Sequence, residues 1–155
     1  VSISLIMTKI ILLLSFIALS YNSYACKCNT YASIETFMEE RYSASDFVVS
    51  AKVEFVKDSL TKGNYIMSAD PTYWRQGGYN AVLKVGKVYK GDIDTDTIEI
   101  IPNWSNCSQY FKTGHTYIVF VYVNKKGEFT TNVCSGSFST IQVDKCKAFQ
   151  KIRKE

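Results

Sequence analysis

Apolar and polar positions along the chain change their period several times, and each change marks an element. Through Ser50-Ala51-Lys52-Val53-Glu54-Phe55 they alternate, as in a half-buried strand, and the Val- and Phe-rich flank extends that strand over Asp46–Lys57. A second strand is predicted over Tyr79–Tyr89, where Ala81, Leu83, Val85 and Val88 mark changes of face. Lys90-Gly91-Asp92 reads as a turn, and Thr97–Ile101 as a third strand. Thr116–Val123 is nearly all β-branched or aromatic and is placed at the centre of the sheet. The turn Asn124-Lys125-Lys126-Gly127 then leads into a fifth strand, Glu128–Val133.

Two stretches carry a helical period instead. Ser33 is positioned to cap a helix running to Tyr42, with Thr36 at the capping-box position and Ile34, Phe37, Met38 and Tyr42 or Arg41 on one face. Ser139-Thr140 is positioned to cap a last helix, with Ile141, Cys146, Phe149 and Ile152 inward and Lys145, Lys147, Lys151, Arg153 and Lys154 outward. Cations near that helix's C-terminus suit its dipole. Five strands with a helix at each end predict a mainly β chain. The architecture expected is a small five-stranded closed Greek-key barrel, because closure removes exposed strand edges; a sandwich is the alternative. The stretch 58–78 is long for a hairpin loop and carries Tyr65, Met67, Tyr73, Trp74 and Arg75. It reads either as an extended ribbon whose aromatics pack on one another or as a contact loop.

The first 25 residues stand outside this pattern. Lys9 precedes the apolar run Ile10–Leu19, which is too short to span a membrane, and Ser23-Tyr24-Ala25 puts small residues at −3 and −1 of a cleavage point. These features predict a secretory signal peptide over 1–25, removed before Cys26. A lipoprotein signal would place Leu at −3, where Ser23 stands. Residues 26–155 then form one domain, large enough for a real core. The leader has one lysine and no acid, so its removal lowers the net charge of +4 by one, too mild a surplus to indicate nucleic acid. No stretch after it predicts stable membrane insertion. The expected location is extracellular, or periplasmic if the source has an outer membrane.

All 5 cysteines follow the leader, so a disulfide framework is expected. Cys26 and Cys28 are separated by one residue, too close for an unstrained bridge to each other. One is expected to reach Cys107 and the other Cys134, and spacing alone leaves the pairing open. Cys146 is left over, either as a buried thiol on a monomer or as half of an intermolecular bridge.

Taken together, these segments resemble the netrin-like (NTR) domain, and within it the N-terminal domain of the tissue inhibitors of metalloproteinases. The resemblance rests on Cys26-Lys27-Cys28 after a leader, then Ala44–Val53, Val88-Tyr89-Lys90-Gly91 and Asn106-Cys107-Ser108. Gly114–Phe120 and Cys134-Ser135-Gly136-Ser137 complete it, over essentially all of residues 26–155. It implies an OB-type barrel and the bridges Cys26–Cys107 and Cys28–Cys134. The family's third bridge would need a cysteine near Met38 to meet Cys146, and none is present.

The resemblance also implies an activity: inhibition of an extracellular zinc metalloprotease. The α-amine and carbonyl oxygen of the first cysteine would chelate the protease zinc, in the open position a catalytic zinc keeps for water. Cys26 would supply the chelate and Lys27 would enter the pocket beside the zinc. Cys28 and Asn29 would follow the cleft, and Ser105, Asn106, Cys107 and Ser108 would flank it. Two positions depart from the family pattern: Lys27 replaces a small Thr or Ser, and Asn29-Thr30 replaces an apolar residue and a proline. A lysine in a deep apolar pocket is costly to desolvate, so the target would have a polar or acidic one. The alternative is a netrin-like extracellular binding module without inhibitory activity.

No enzyme constellation and no cofactor motif competes with these readings. His115 is the only histidine, in a turn before a strand, and HExxH is missing. Asp92, Asp94 and Asp96 start like a calcium loop, but Thr97 and Asn103 stand where it needs Gly and Glu, so a solvated turn is expected. Asn103-Trp104-Ser105 and Asn106-Cys107-Ser108 match glycosylation acceptors, whose sugars would crowd the proposed contact surface.

Overall fold

The computed structural model describes residues 26–57, 77–103 and 105–153. The predicted signal peptide, most of the 58–78 segment and Trp104 lie outside the described residues. Among the described residues the fold is mainly β, with two helices and two disulfides. In chain order it runs α1 (Ile34–Ala44), β1 (Phe47–Val56), β2 (Gly77–Gly78), β3 (Ala81–Lys90), β4 (Thr97–Glu99), β5 (Phe111–Lys112), β6 (Thr116–Val123), β7 (Phe129–Thr130), β8 (Phe138–Ser139) and α2 (Val143–Ile152).

The main sheet has the order β4-β3-β1-β6-β7, with β8 also on β6, and every pairing in it is antiparallel. The crossover from β4 to β6 brings β6 back beside β1. Among the described residues no continuous ladder closes this sheet. Its two ends meet at one parallel bridge, Ile100 to Phe129, where Ile101 N–H donates to Phe129 O at 2.8 Å. A separate two-stranded sheet joins β2 to β5.

Alternation on β1 and β6 divides the core in two. Val49, Ala51 and Val53 pack with Leu83, Ile98, Phe111, Val119 and Val121 on one side of the sheet. On the other side Val48, Ile118 and Phe120 pack with Met38 of α1, Phe138 of β8 and Ala148 and Phe149 of α2. Both faces of β6 are therefore covered, which explains its almost unbroken apolar sequence. Phe149 is the hub of the second cluster, with its ring against those of Tyr42, Tyr89, Phe120 and Phe138 at 5.1–6.2 Å.

α1 begins as its sequence predicts: the Ser33 hydroxyl accepts a hydrogen bond from Thr36 N–H at 3.1 Å. Its C-terminus is closed by a distant residue. The Lys90 ammonium donates to the carbonyls of Tyr42, Ser43 and Ser45 at 2.6–2.8 Å, and Tyr42 Oη donates to Tyr89 O at 2.8 Å. These are the carbonyls a helix end leaves unpaired, met by the charge that suits its dipole. Gly91 then turns at φ 77, and a Cβ there would stand 2.7 Å from Asp46 O. The Val88-Tyr89-Lys90-Gly91 segment thus fastens the end of β3 to the end of α1.

α2 departs from expectation at its start. The helix begins at Val143, and Gln142 stands at its N-cap with no side-chain cap bond. Ser139, expected to cap it, is buried in β8 opposite Tyr117, while Ile141, expected inward, is 71% exposed. The same serine that reads locally as a cap is recruited by the strand pairing. Phe149 is buried as predicted, and Cys146 is half-buried and unpaired, its Sγ 3.4 Å from Thr140 O. Among the described residues no helix is long and apolar enough to cross a membrane.

A disulfide-pinned segment as the candidate functional site

Residues 26–32 form no helix or strand, and none of them is buried. What holds them is covalent. Cys26 is bridged to Cys107 and Cys28 to Cys134, with Cα–Cα distances of 5.1 and 5.3 Å. This is the pairing that the resemblance implies. The Sγ atoms of Cys26 and Cys134 lie 3.7 Å apart, so the two bridges sit side by side. They close loops with sequence separations of 81 and 106. In the chain-entropy model, loops of this size each stabilise by about 4–5 kcal/mol, an upper figure.

The anchors on the other side of the bridges are themselves joined. Val133 N–H donates to Cys107 O at 2.9 Å, and Ser108 pairs with Asn132. Cys134 N–H donates to Asn132 Oδ1 at 2.8 Å. Next to it, the hydroxyls of Thr131, Ser135 and Ser137 bond to one another at 2.6–2.9 Å, entirely buried. This cluster also grips the β6 backbone: Thr131 Oγ1 donates to Phe120 O and Phe120 N–H donates to Ser137 Oγ, both at 2.9 Å. Buried hydroxyls are stabilising only when paired, and all three here are. The Cys28–Cys134 bridge therefore ties the terminal segment to the central strand.

On the Cys107 side, Asn103 Oδ1 accepts from Ser105 Oγ at 2.8 Å, from Ser105 N–H at 3.2 Å and from Ser108 Oγ at 2.6 Å. The carbonyl oxygen of one side chain organises the loop that carries Cys107. A third clamp acts on Tyr31. The Arg41 guanidinium of α1 donates to Tyr31 Oη at 2.6 Å and lies over the Tyr31 and Phe37 rings, each 5.6 Å from the centroid. Arg41 also packs on Gly136, whose φ of 94 and close approach (3.1 Å from a Cβ to Arg41 Cβ) leave little room for a side chain. Burial raises the Tyr122 hydroxyl above its ordinary pKa, and the nearby Arg41 charge partly offsets that rise.

The predicted contact residues are brought together here, with one correction. Lys27, Asn29 and Asn106 are exposed; Cys26, Cys28, Ser105 and Cys107 are half-buried. Ser108 is only 5% exposed, and its hydroxyl is spent on Asn103 and Ser105, so it supports the loop from within. A groove of about 660 Å³ runs beside the segment, lined by Lys27, Asn29, Thr30, Tyr31, Thr36 and Glu40 among others. Lys27 makes no ion pair among the described residues. Cys26, Cys28 and Cys134 have metal-ligand proximity, but all three sulfurs are in disulfides and offer no thiolate.

Reading along the chain gives Asn103 and Arg41 no role at this site and misses the Thr131, Ser135, Ser137 cluster. The resemblance flags the Cys134–Ser137 segment, but no periodicity marks hydroxyls that meet only in the folded state. Asp92, Asp94 and Asp96 are exposed in the β3–β4 connection, as a solvated turn would be. Compared with known proteins, the chain matches no family model and no curated protein.

Proposed function

We propose that the protein is a secreted inhibitor of zinc metalloproteases that acts as a monomer through the amino terminus exposed by cleavage before Cys26. The observation that carries this reading is the pinning of an otherwise irregular segment, Cys26–Tyr31, at the surface by two adjacent bridges and the Arg41–Tyr31 clamp. A chelating terminus loses less entropy on binding when its position is fixed beforehand. A neutral α-amine and the carbonyl one bond away form a five-membered chelate, and an amine with pKa about 7.7–8.0 is partly neutral near pH 7. Cys26 supplies this pair. Lys27, Cys28 and Asn29 follow the protease cleft, and Ser105, Asn106 and Cys107 flank it, with Ser108 holding their loop.

The resemblance to the netrin-like inhibitors supports the same reading, and with it an OB-type barrel. The strand order and the parallel Ile100–Phe129 bridge favour closure of that barrel between β4 and β7. Lys27, exposed and without an ion pair among the described residues, favours a target whose pocket beside the zinc is acidic. It equally favours the second reading, a netrin-like binding module that docks without touching a metal. One experiment separates them. The chain starting at Cys26, and the same chain with one alanine in front, are titrated against a panel of zinc metalloproteases. Inhibition by the first and not the second is expected. Equal inhibition by both would refute chelation by the terminus.

A further inference from the structure

A second groove, of about 470 Å³, opens where β5, β6, β8 and the start of α2 meet. It does not use Cys26, so its chemistry is independent of the inhibitor reading. Among the described residues its charged lining carries no acid: Lys112 and Lys145 line it with His115, and no Asp or Glu does. One of its polar groups is buried and unsatisfied among the described residues. Ser139 is 7% exposed, and its Oγ has no hydrogen-bond partner. Native proteins rarely leave a buried hydroxyl unpaired, and an orphan on a groove wall indicates a missing partner. Lys145, on α2, is half-buried and has no carboxylate partner among the described residues. Burial lowers its pKa, the mark of an ammonium held partly out of water without a counter-ion.

The rim supplies the complementary feature. Ile141 is 71% and Val133 43% exposed, two apolar residues lining a basic site. A volume of this size falls in the range of small-molecule sites, which join an apolar body to a few placed polar groups. We infer that this groove binds a small amphipathic carboxylate, its headgroup at Lys145 and Ser139 and its apolar body along Ile141 and Val133.

Three probes with one hydrocarbon chain and different heads test this: hexanoate, hexan-1-ol and hexylamine, titrated into the isotope-labelled protein and followed by amide chemical shifts. Hexanoate is expected to shift Ser139, Gln142, Lys145 and His115 and to bind about fivefold or more tighter than hexanol, as a charge-assisted contact requires. Hexylamine is expected not to saturate. Lys145→Gln should bring hexanoate down to the affinity of hexanol and leave hexanol binding unchanged, which also reports that the variant is folded. If that variant does not fold, the comparison of the three probes on the unaltered protein decides alone. Equal affinity for the three probes, no binding of hexanoate, shifts confined to other residues, or undiminished hexanoate binding by a folded Lys145→Gln would overturn the inference.

Discussion

The terminal segment and the sheet beneath it are held by different forces. In β1 and β6 the side chains of Val49, Val53, Val119, Phe120 and Val121 are fully buried, and removal of apolar surface from water keeps them in place. Residues 26–32 bury no side chain fully and form no ladder, yet two disulfides and one arginine fix them. Apolar burial specifies the fold, and covalent and polar contacts specify the terminus. A segment fixed this way can present its backbone to a partner, because its own backbone is not consumed by secondary structure.

That contrast predicts that loss of the core releases both regions, whereas loss of the terminal anchors leaves the sheet folded. The largest effect is expected in the core between the sheet and the two helices, where Phe120 packs on Phe149. Phe120→Ala should cost about 3–5 kcal/mol in chemical denaturation, and it should unfold sheet and terminus together. Replacing both Cys28 and Cys134 by serine should cost about 2–5 kcal/mol while keeping the far-ultraviolet signature of the sheet. Amide exchange of residues 29–32 should rise by far more than that of β6. Equal loss of protection in both would show that the terminus is integral to the core.

A smaller effect is expected at the seam between α1 and β3. Lys90→Met removes three charge-assisted bonds to helix carbonyls and should cost about 1.5–3 kcal/mol, read from the denaturation midpoint. The smallest lies on the surface between the helices, where Glu35 meets Lys151 at 3.7 Å. Its carboxyl is held below the ordinary 4.5, first by a backbone hydrogen bond and then by Lys151. A depressed acid contributes stability that is full above the unfolded value and is lost as pH falls through the folded one. Melting temperatures of the protein and of Glu35→Gln should therefore differ slightly at pH 6 and converge as the pH drops below about 4.

How much of this is legible in the sequence depends on the range of the interactions. β6 falls where its β-branched run places it, and α1 starts at its Ser33 cap, because both signals are local. β8 reads as a helix cap, because a serine and threonine before an amphipathic stretch serve either end. Only the pairing of Phe138 and Ser139 with Ile118 and Tyr117 decides between them. Lys90 reads as a turn residue, since nothing local reveals that its ammonium reaches α1. In the candidate site, Cys26 and Cys28 are plain from their spacing after the leader, while Asn103 and Arg41 act through contacts that only the folded chain makes.

The most direct test of the inhibitor account is the visible spectrum of a cobalt-substituted metalloprotease that the protein inhibits, with and without the chain beginning at Cys26. Coordination by the terminal amine and carbonyl would replace the metal-bound water and change the ligand-field bands. The account predicts that change for the unmodified chain and none for the same chain acetylated at its α-amine. Tight inhibition with an unaltered cobalt spectrum would contradict it.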